Sequence, residues 1–286
     1  MDKLIIGFCL FCLMCSCGGT QKNKESQEME PLVEDSMTTA VDTLVVEEPV
    51  EEVPQLPIMA DEVFADFLYN FVQDEKMQNS RIVFPLPCYT DDRKEFIEEG
   101  EWVYDPLFSQ LDSYSVLFDK VEDMELEKDT VSTSVKIEWI YLPTDRIKRY
   151  YFERIKGKWT LEAIDDAAVP EKETEHEDFY DFYERFANDS IFQLERVAAP
   201  LKFVTIDPED EFQLLETTLE KGQWFAFQPL LPRDFLTNVN YGQQMDKHSR
   251  SKIIELKGFG NGFCNILHFQ RRGGIWKLVK FEDLGD

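Results

Sequence analysis

The residues of this chain able to do chemistry come in matched pairs. Asp74 and Asp189 hold the same place in two similar stretches, with Asp66 and Asp181 a little upstream of each. A carboxylate enclosed by apolar side chains would keep its proton to higher pH and could act as a general acid or base. A plainer role fits their position: Asp74 and Asp189 fall where one helix gives way to the next, a place for capping free N–H groups. Asp66 and Asp181 lie between inward-facing aromatics and should face solvent. Gln78 and Arg81, matched by Gln193 and Arg196, are three apart and share one helix face. Such a face can line a polar pocket in which arginine grips a carboxylate through two hydrogen bonds. It can also tie the helix to an acidic residue of its own copy, and recurrence in both stretches favours that scaffolding role. Trp102 and Tyr104 in Trp-Val-Tyr-Asp-Pro, and Trp224 and Phe227 in Trp-Phe-Ala-Phe-Gln-Pro, are aromatic enough to line an apolar pocket. Core packing is the plainer reading for these rings, and for Trp159 and Trp276. If a ligand site exists, these aromatic segments and the two Gln/Arg pairs are the first choice.

Other chemistry is missing from the sequence. His176, His248 and His268 are far apart, and no Cys-x-x-Cys or His-x-x-x-His spacing occurs beyond the N-terminal segment, so no metal site is expected. Without a nucleophile elbow, P-loop or dinucleotide fingerprint, no cofactor is expected either. Gly258-Phe-Gly-Asn-Gly262 reads as a hairpin loop and Arg146-Ile-Lys-Arg149 as a solvated basic turn.

The elements that must position these residues are themselves repeated. Phe64–Asp74 aligns without gaps on Phe179–Asp189, and the match runs on through Gln78/Gln193, Arg81/Arg196, Pro85/Pro200 and Leu86/Leu201. Gly100-Glu-Trp102 matches Gly222-Gln-Trp224, each followed by Pro-Leu, at Pro106-Leu107 and Pro229-Leu230. Phe152-Glu-Arg154 with Trp159-Thr-Leu161 matches Phe269-Gln-Arg271 with Trp276-Lys-Leu278. Order and spacing recur over a long stretch, the mark of a tandem duplication. In each copy, aromatic residues at helical spacing predict an amphipathic helix (Phe64, Phe67, Phe71; Phe179, Phe182, Phe186) and a short second helix ending before the proline. Strands follow, over Thr133–Leu142, Arg149–Ile155 and Trp159–Ile164, then over Ser251–Lys257, Phe263–Gln270 and Trp276–Phe281.

Helices packed on a curled antiparallel sheet, twice over, define an α+β chain of two tandem cone-like domains. The pattern Phe-x-x-Phe…Asp-x-x-(Met/Phe)-Gln-x-x-Arg-(Ile/Val)-x-x-Pro-Leu resembles an uncharacterised lipoprotein family of Gram-negative gut anaerobes, built on a domain of unknown function. The fold it implies is the nuclear-transport-factor-2-like cone, with a generic cystatin-like sheet as the alternative. Some members of that fold use an Asp base and a Tyr donor inside the cone. The resemblance therefore implies, as one option, an isomerase-, dehydratase- or cyclase-like enzyme with one active cone.

The first residues carry an address. Leu4–Cys15 is an apolar run too short to span a bilayer, which needs roughly 18–20 residues, and suits a signal peptide. Cys15-Ser16-Cys17 resembles the bacterial lipobox, in which a cysteine after a small residue is lipidated; Cys17 is that cysteine. Residues 1–16 are thus expected to be a lipoprotein signal peptide and residues 17–60 an acidic disordered tether, leaving 61–167 and 171–286 as the two repeats. Residues 21–60 hold ten acids, two lysines and four prolines, and no period long enough to bury a face. Only Cys88 and Cys264 remain beyond the first segment, read as two buried free thiols and not a disulfide framework.

The formal net charge of −27 (57 acids against 30 bases) argues against nucleic-acid partners, while 13% aromatic content gives ample core. The expected protein is an envelope lipoprotein held to a bacterial membrane by its N-terminal lipid. It should face the periplasm, with the cell surface as the alternative. Its expected work is non-catalytic binding of a small molecule or protein partner in a pocket or interdomain groove. A purely structural part in an envelope complex is the remaining alternative.

Overall fold

The computed structural model describes residues 61–91, 93–169 and 172–285; the signal segment, Cys17 and the tether lie outside the described residues. Each half opens with a helix pair. α1 (Phe64–Phe71) buries Phe64, Phe67, Leu68 and Phe71, and α2 (Glu75–Ser80) follows directly, capped by Asp74, whose carboxylate accepts from the Met77 N–H at 3.0 Å. In the second half, the later helices α3 (Phe179–Asn188) and α4 (Ser190–Arg196) are joined through Asp189, which accepts from the N–H groups of Ile191 and Phe192. Both predicted caps are therefore caps. Asp66 and Asp181 are exposed, as their places between inward aromatics required.

The first half continues with β1 (Leu86–Thr90), β2 (Arg93–Ile97), β3 (Tyr114–Phe118), β4 (Ser134–Tyr141), β5 (Arg146–Ile155) and β6 (Lys158–Ala168). The second continues from α4 with β7 (Val197–Asp207), β8 (Asp210–Leu219), the one-turn helix α5 (Trp224–Phe227), β9 (Phe235–Asn240), β10 (Ser251–Lys257), β11 (Cys264–Arg272) and β12 (Ile275–Asp283). The last hairpin of each half turns where predicted. Lys156 and Gly157 carry φ of +51° and +81°, and Gly273 and Gly274 carry +61° and +84°, the paired left-handed geometry of a two-residue turn. Among described residues, no helix is long and apolar enough to cross a membrane.

Two curved sheets of six strands result, in the orders β2-β1-β6-β5-β4-β9 and β3-β10-β11-β12-β7-β8. They are antiparallel except where β1 lies parallel to β6 and β7 parallel to β12. That exception follows from connectivity, since the strand leaving the helix pair is laid beside the last strand of its half. More consequential is the exchange of β3 and β9: each half lends one strand to the sheet of the other, β3 pairing with β10 and β9 with β4.

The cores follow the sheets. In the first half, α1 sets its rings edge-on against the sheet, with Phe64 to Trp159 at 5.0 Å and 79° and Phe71 to Phe152 at 5.3 Å and 86°. α3 repeats that geometry, with Phe179 to Trp276 at 5.1 Å and 74° and Phe186 to Phe269 at 5.5 Å and 90°. Neither core belongs to one half alone. The core under α1 includes Val239, Tyr241, Ile253 and Ile266 from the second half, and the core under α3 includes Leu117, Ile140, Leu142 and Ile147 from the first. All described residues fall within one compact unit.

Candidate functional site

The duplicated Gln/Arg pairs do scaffolding. Arg81 grips the Asp61 carboxylate with both terminal nitrogens, at 2.9 and 2.8 Å, and also donates to the Trp159 carbonyl. Asp61 in turn accepts from the Trp159 N–H. Arg196 takes the corresponding place with a single nitrogen, Nη1 donating to Glu177 at 2.8 Å and to the Trp276 carbonyl, and Glu177 accepts from the Trp276 N–H. One carboxylate thus clamps the short second helix to the start of the final strand in each half. Gln78 donates to the carbonyls of Phe71 and Asp105 and accepts from Trp102 Nε1 and the Asp105 N–H, so every hydrogen-bonding direction of its amide is used. Gln193 donates to the Phe186 carbonyl at 3.0 Å.

The aromatic candidates are split between roles. Trp102 donates to Gln78, and the Tyr104 hydroxyl donates to the Val72 carbonyl. Trp224 is wholly buried beside Phe281 with its indole N–H unpartnered, while Phe227 packs on Phe203 at 5.3 Å and is 45% exposed. Trp159 and Trp276 are wholly buried in the cores.

The basic cluster is not a solvated turn. Arg146 opens β5, and the half-buried Arg149 bridges Glu138 at 3.0 Å and Asp165 at 3.1 Å. Glu138 also accepts from Asn238 Nδ2 on the exchanged strand β9, at 2.8 Å. These partners come from three other strands, which a local reading of the sequence cannot see.

The second half lacks this guanidinium. Glu138 sits across the ladder from Arg149, but its counterpart Glu255 sits across from Ile266. Glu255 is buried with Cys264 Sγ at 3.8 Å, and burial, with the Glu127 carboxylate adding to it, raises its carboxyl above the usual range. Burial and the Glu255 charge together push the Cys264 thiol up to about 11. Cys88 and Cys264 are both free and half-buried, more open than the buried thiols expected. No group of His, Cys, Asp and Glu able to hold a metal occurs among the described residues.

Where β3 and β9 pass each other, a pseudo-twofold cross forms. The Ser115 N–H donates to Thr237 Oγ1 at 2.6 Å, and the Thr237 N–H donates to Ser115 Oγ at 2.8 Å. Each hydroxyl then donates to the other residue's carbonyl, at 2.7 and 2.9 Å. Side chains so replace a ladder between two strand edges that would otherwise bury unpaired backbone groups. Asn238 Oδ1 accepts from the Leu117 N–H, and Gln243 Nε2 donates to the carbonyls of Leu117 and Val239, which completes the seal.

Against this cross lies a cleft of about 160 Å³, walled by Leu111–Ser115 from the first half and by Leu230–Pro232, Phe235 and Thr237 from the second. Its lining is mostly apolar, with Leu230 72% exposed at the rim. None of the eight pocket residues singled out from the sequence lines it. The sequence signal nearest to it is the duplicated Pro-Leu pair, just ahead of one wall and overlapping the other.

Known proteins agree with this architecture. A crystal structure of an NTF2-like protein from Bacteroides fragilis superimposes with a TM-score of 0.77 at 52% identity, covering 81% of this chain and all of that one. No curated protein matches the chain. The family model described as "Domain of unknown function (DUF4348)" matches residues 40–283, and the chain belongs to that family.

Proposed function

We propose that this NTF2-like protein is an envelope lipoprotein, held by a lipid on Cys17, that works without catalysis by docking an apolar side chain of a partner polypeptide in the cleft at the strand cross. The cleft's size carries this reading. At about 160 Å³ it is well short of the roughly 300–1,000 Å³ of sites that enclose a drug-sized ligand, yet ample for one phenyl ring or branched side chain. Leu230 at its rim adds exposed apolar surface for such a side chain to cover. The cone interiors, where the enzymatic alternative would place its chemistry, are filled by the aromatic rings of α1 and α3.

N-acetylphenylalanine amide is a suitable probe, followed by amide NMR shifts on the full chain. The proposal expects saturable shifts centred on Ser115, Leu231 and Thr237, lost when the cleft is filled by Ser113→Trp. Leu230→Glu should weaken the probe while changing stability by no more than about 0.5 kcal/mol, as for other exposed positions. Saturable shifts confined to a cone interior, or none at all, would overturn it. The anchor has its own check: an alkyne fatty acid fed to cells should label the wild-type chain and not Cys17→Ala.

A further inference from the structure

The outer edges of the two sheets are finished differently. β2 closes its sheet with five residues, Arg93–Ile97, three of them charged, and the Lys94 ammonium lies 5.2 and 4.9 Å from the ring centres of Tyr89 and Phe96. Shortness and an edge lysine keep such strands from recruiting other chains. β8 closes the other sheet with ten residues, Asp210–Leu219, and holds no lysine or arginine. Phe212 is 91% exposed, Leu214 58% and Leu215 43%. β7 is its one neighbour in the sheet; the pairing is regular over Leu214–Leu219 and slips over residues 211–213, so alternate backbone N–H and C=O groups point outward along Leu214–Leu219.

We propose that β8 is a docking edge for an extended cationic segment of another protein, added to this sheet as a seventh strand. Charge selects that occupant. Asp207, Glu209, Asp210 and Glu216 lie along the strand and its turn, and the nearest sequence cations are Lys202 and Lys221 near the far end. A second copy of the chain, paired edge to edge, would set carboxylates against carboxylates, which destabilises cross-strand pairs. The chain's own Leu44-Val45-Val46 stretch meets the same repulsion through Asp42, Glu47 and Glu48. A strand alternating lysine with β-branched residues sets its lysine face beside Leu214 and Glu216, where the ammonium groups neutralise the acid and the stems cover the leucine, and its β-branched face beside Leu215. β8 is at the opposite end of its sheet from β3, so this edge is separate from the cleft.

Hydrogen exchange of the full chain, read by mass spectrometry over residues 210–219, tests the proposal. The probe is a synthetic nonapeptide alternating lysine with valine and threonine. Saturating peptide should slow the fast-exchanging amides of β8 at least tenfold, and the effect should weaken between 50 and 300 mM salt. It should vanish with glutamate in place of lysine, with alternate backbone N-methylation, and in the Phe212→Lys/Leu214→Lys chain, whose unchanged exchange elsewhere shows that it is folded. No slowing, or equal slowing by the glutamate peptide, overturns the proposal. So does prior protection of β8 in the free chain, whether it grows with protein concentration (a second copy) or is relieved by Val45→Glu (its own N-terminal stretch).

Discussion

Replacing Ser115 by alanine removes one oxygen atom and strands two backbone groups of Thr237. Its N–H loses the acceptor at 2.8 Å and its carbonyl loses the donor at 2.7 Å. Both residues are at most 1% exposed, so water reaches those groups only if the strands part. A buried backbone group left unpaired costs about 1–3 kcal/mol, which puts Ser115→Ala at about 2–6 kcal/mol. Thr237→Ala strands the Ser115 N–H and carbonyl in the same way and adds about 0.8 kcal/mol for the lost methyl. Thr237→Ser keeps all four bonds and should lose only that methyl contribution. The two hydroxyls lie 3.3 Å apart in one reciprocal network, so the two alanine changes should not add, and the double variant should depart from their sum by about 0.5–3 kcal/mol. Against a total stability of about 5–15 kcal/mol, either single alanine change is already a large loss. Urea unfolding followed by tryptophan fluorescence measures all four chains. A Ser115→Ala chain within about 0.5 kcal/mol of wild type would refute the reasoning, because the cross would then not be what satisfies these strand edges.

The carboxylate clamps make a paired prediction. Arg81→Met leaves Asp61 short of its cation in a mostly buried place and should cost about 3 kcal/mol by urea unfolding, with Asp61→Asn/Arg81→Met recovering part of the loss. Glu255 makes a pH prediction of opposite sign to most acids. Its folded carboxyl binds a proton more tightly than in the unfolded chain, so its contribution favours the native state at low pH and is lost as pH rises from the ordinary carboxylate value through the raised one. Glu255→Gln should raise the thermal midpoint at pH 8 and flatten the decline of stability on that side; an unchanged midpoint at pH 8 would contradict the assignment. Glu173 behaves conversely. Hydrogen bonds from the Glu175 N–H, His248 and Arg271 hold it down to about 2, so its share of stability is complete above its ordinary value and is lost as pH falls toward about 2. Glu173→Gln should therefore remove part of the acid-side slope in a pH series of thermal melts.

Much of the fold was legible because its signals are local. Aromatic spacing fixed the inner faces of α1 and α3, paired glycines and Lys156 marked hairpin turns, and Asp74 and Asp189 stood where caps belong. Duplication pointed to a scaffolding role for Gln78/Arg81 and Gln193/Arg196 but not to their acids, since Asp61 and Glu177 fall one place apart in the repeat and only the fold joins them to Arg81 and Arg196. The exchange of β3 and β9 left no such trace. Both strands are short and buried on both faces, so neither carries an alternation that marks its partner. The choice of partner depends on loop reach and on the Ser115–Thr237 cross, which joins residues 122 apart. The cleft was missed for that reason: its walls meet only once the strands have crossed, while the eye is drawn to tryptophans that serve each core separately. Arg149 was misread because its partners Glu138 and Asp165 lie on neighbouring strands.

The central claim is that the two halves are one folding unit, because each completes the other's sheet and core. Cutting the folded full chain at a protease site inserted between Val169 and Lys172 tests this most directly. The account predicts that the two pieces stay together through size-exclusion chromatography as a one-to-one complex, and that neither refolds alone after separation in urea. Two pieces that separate without denaturant and each give a folded, cooperative melt would contradict it.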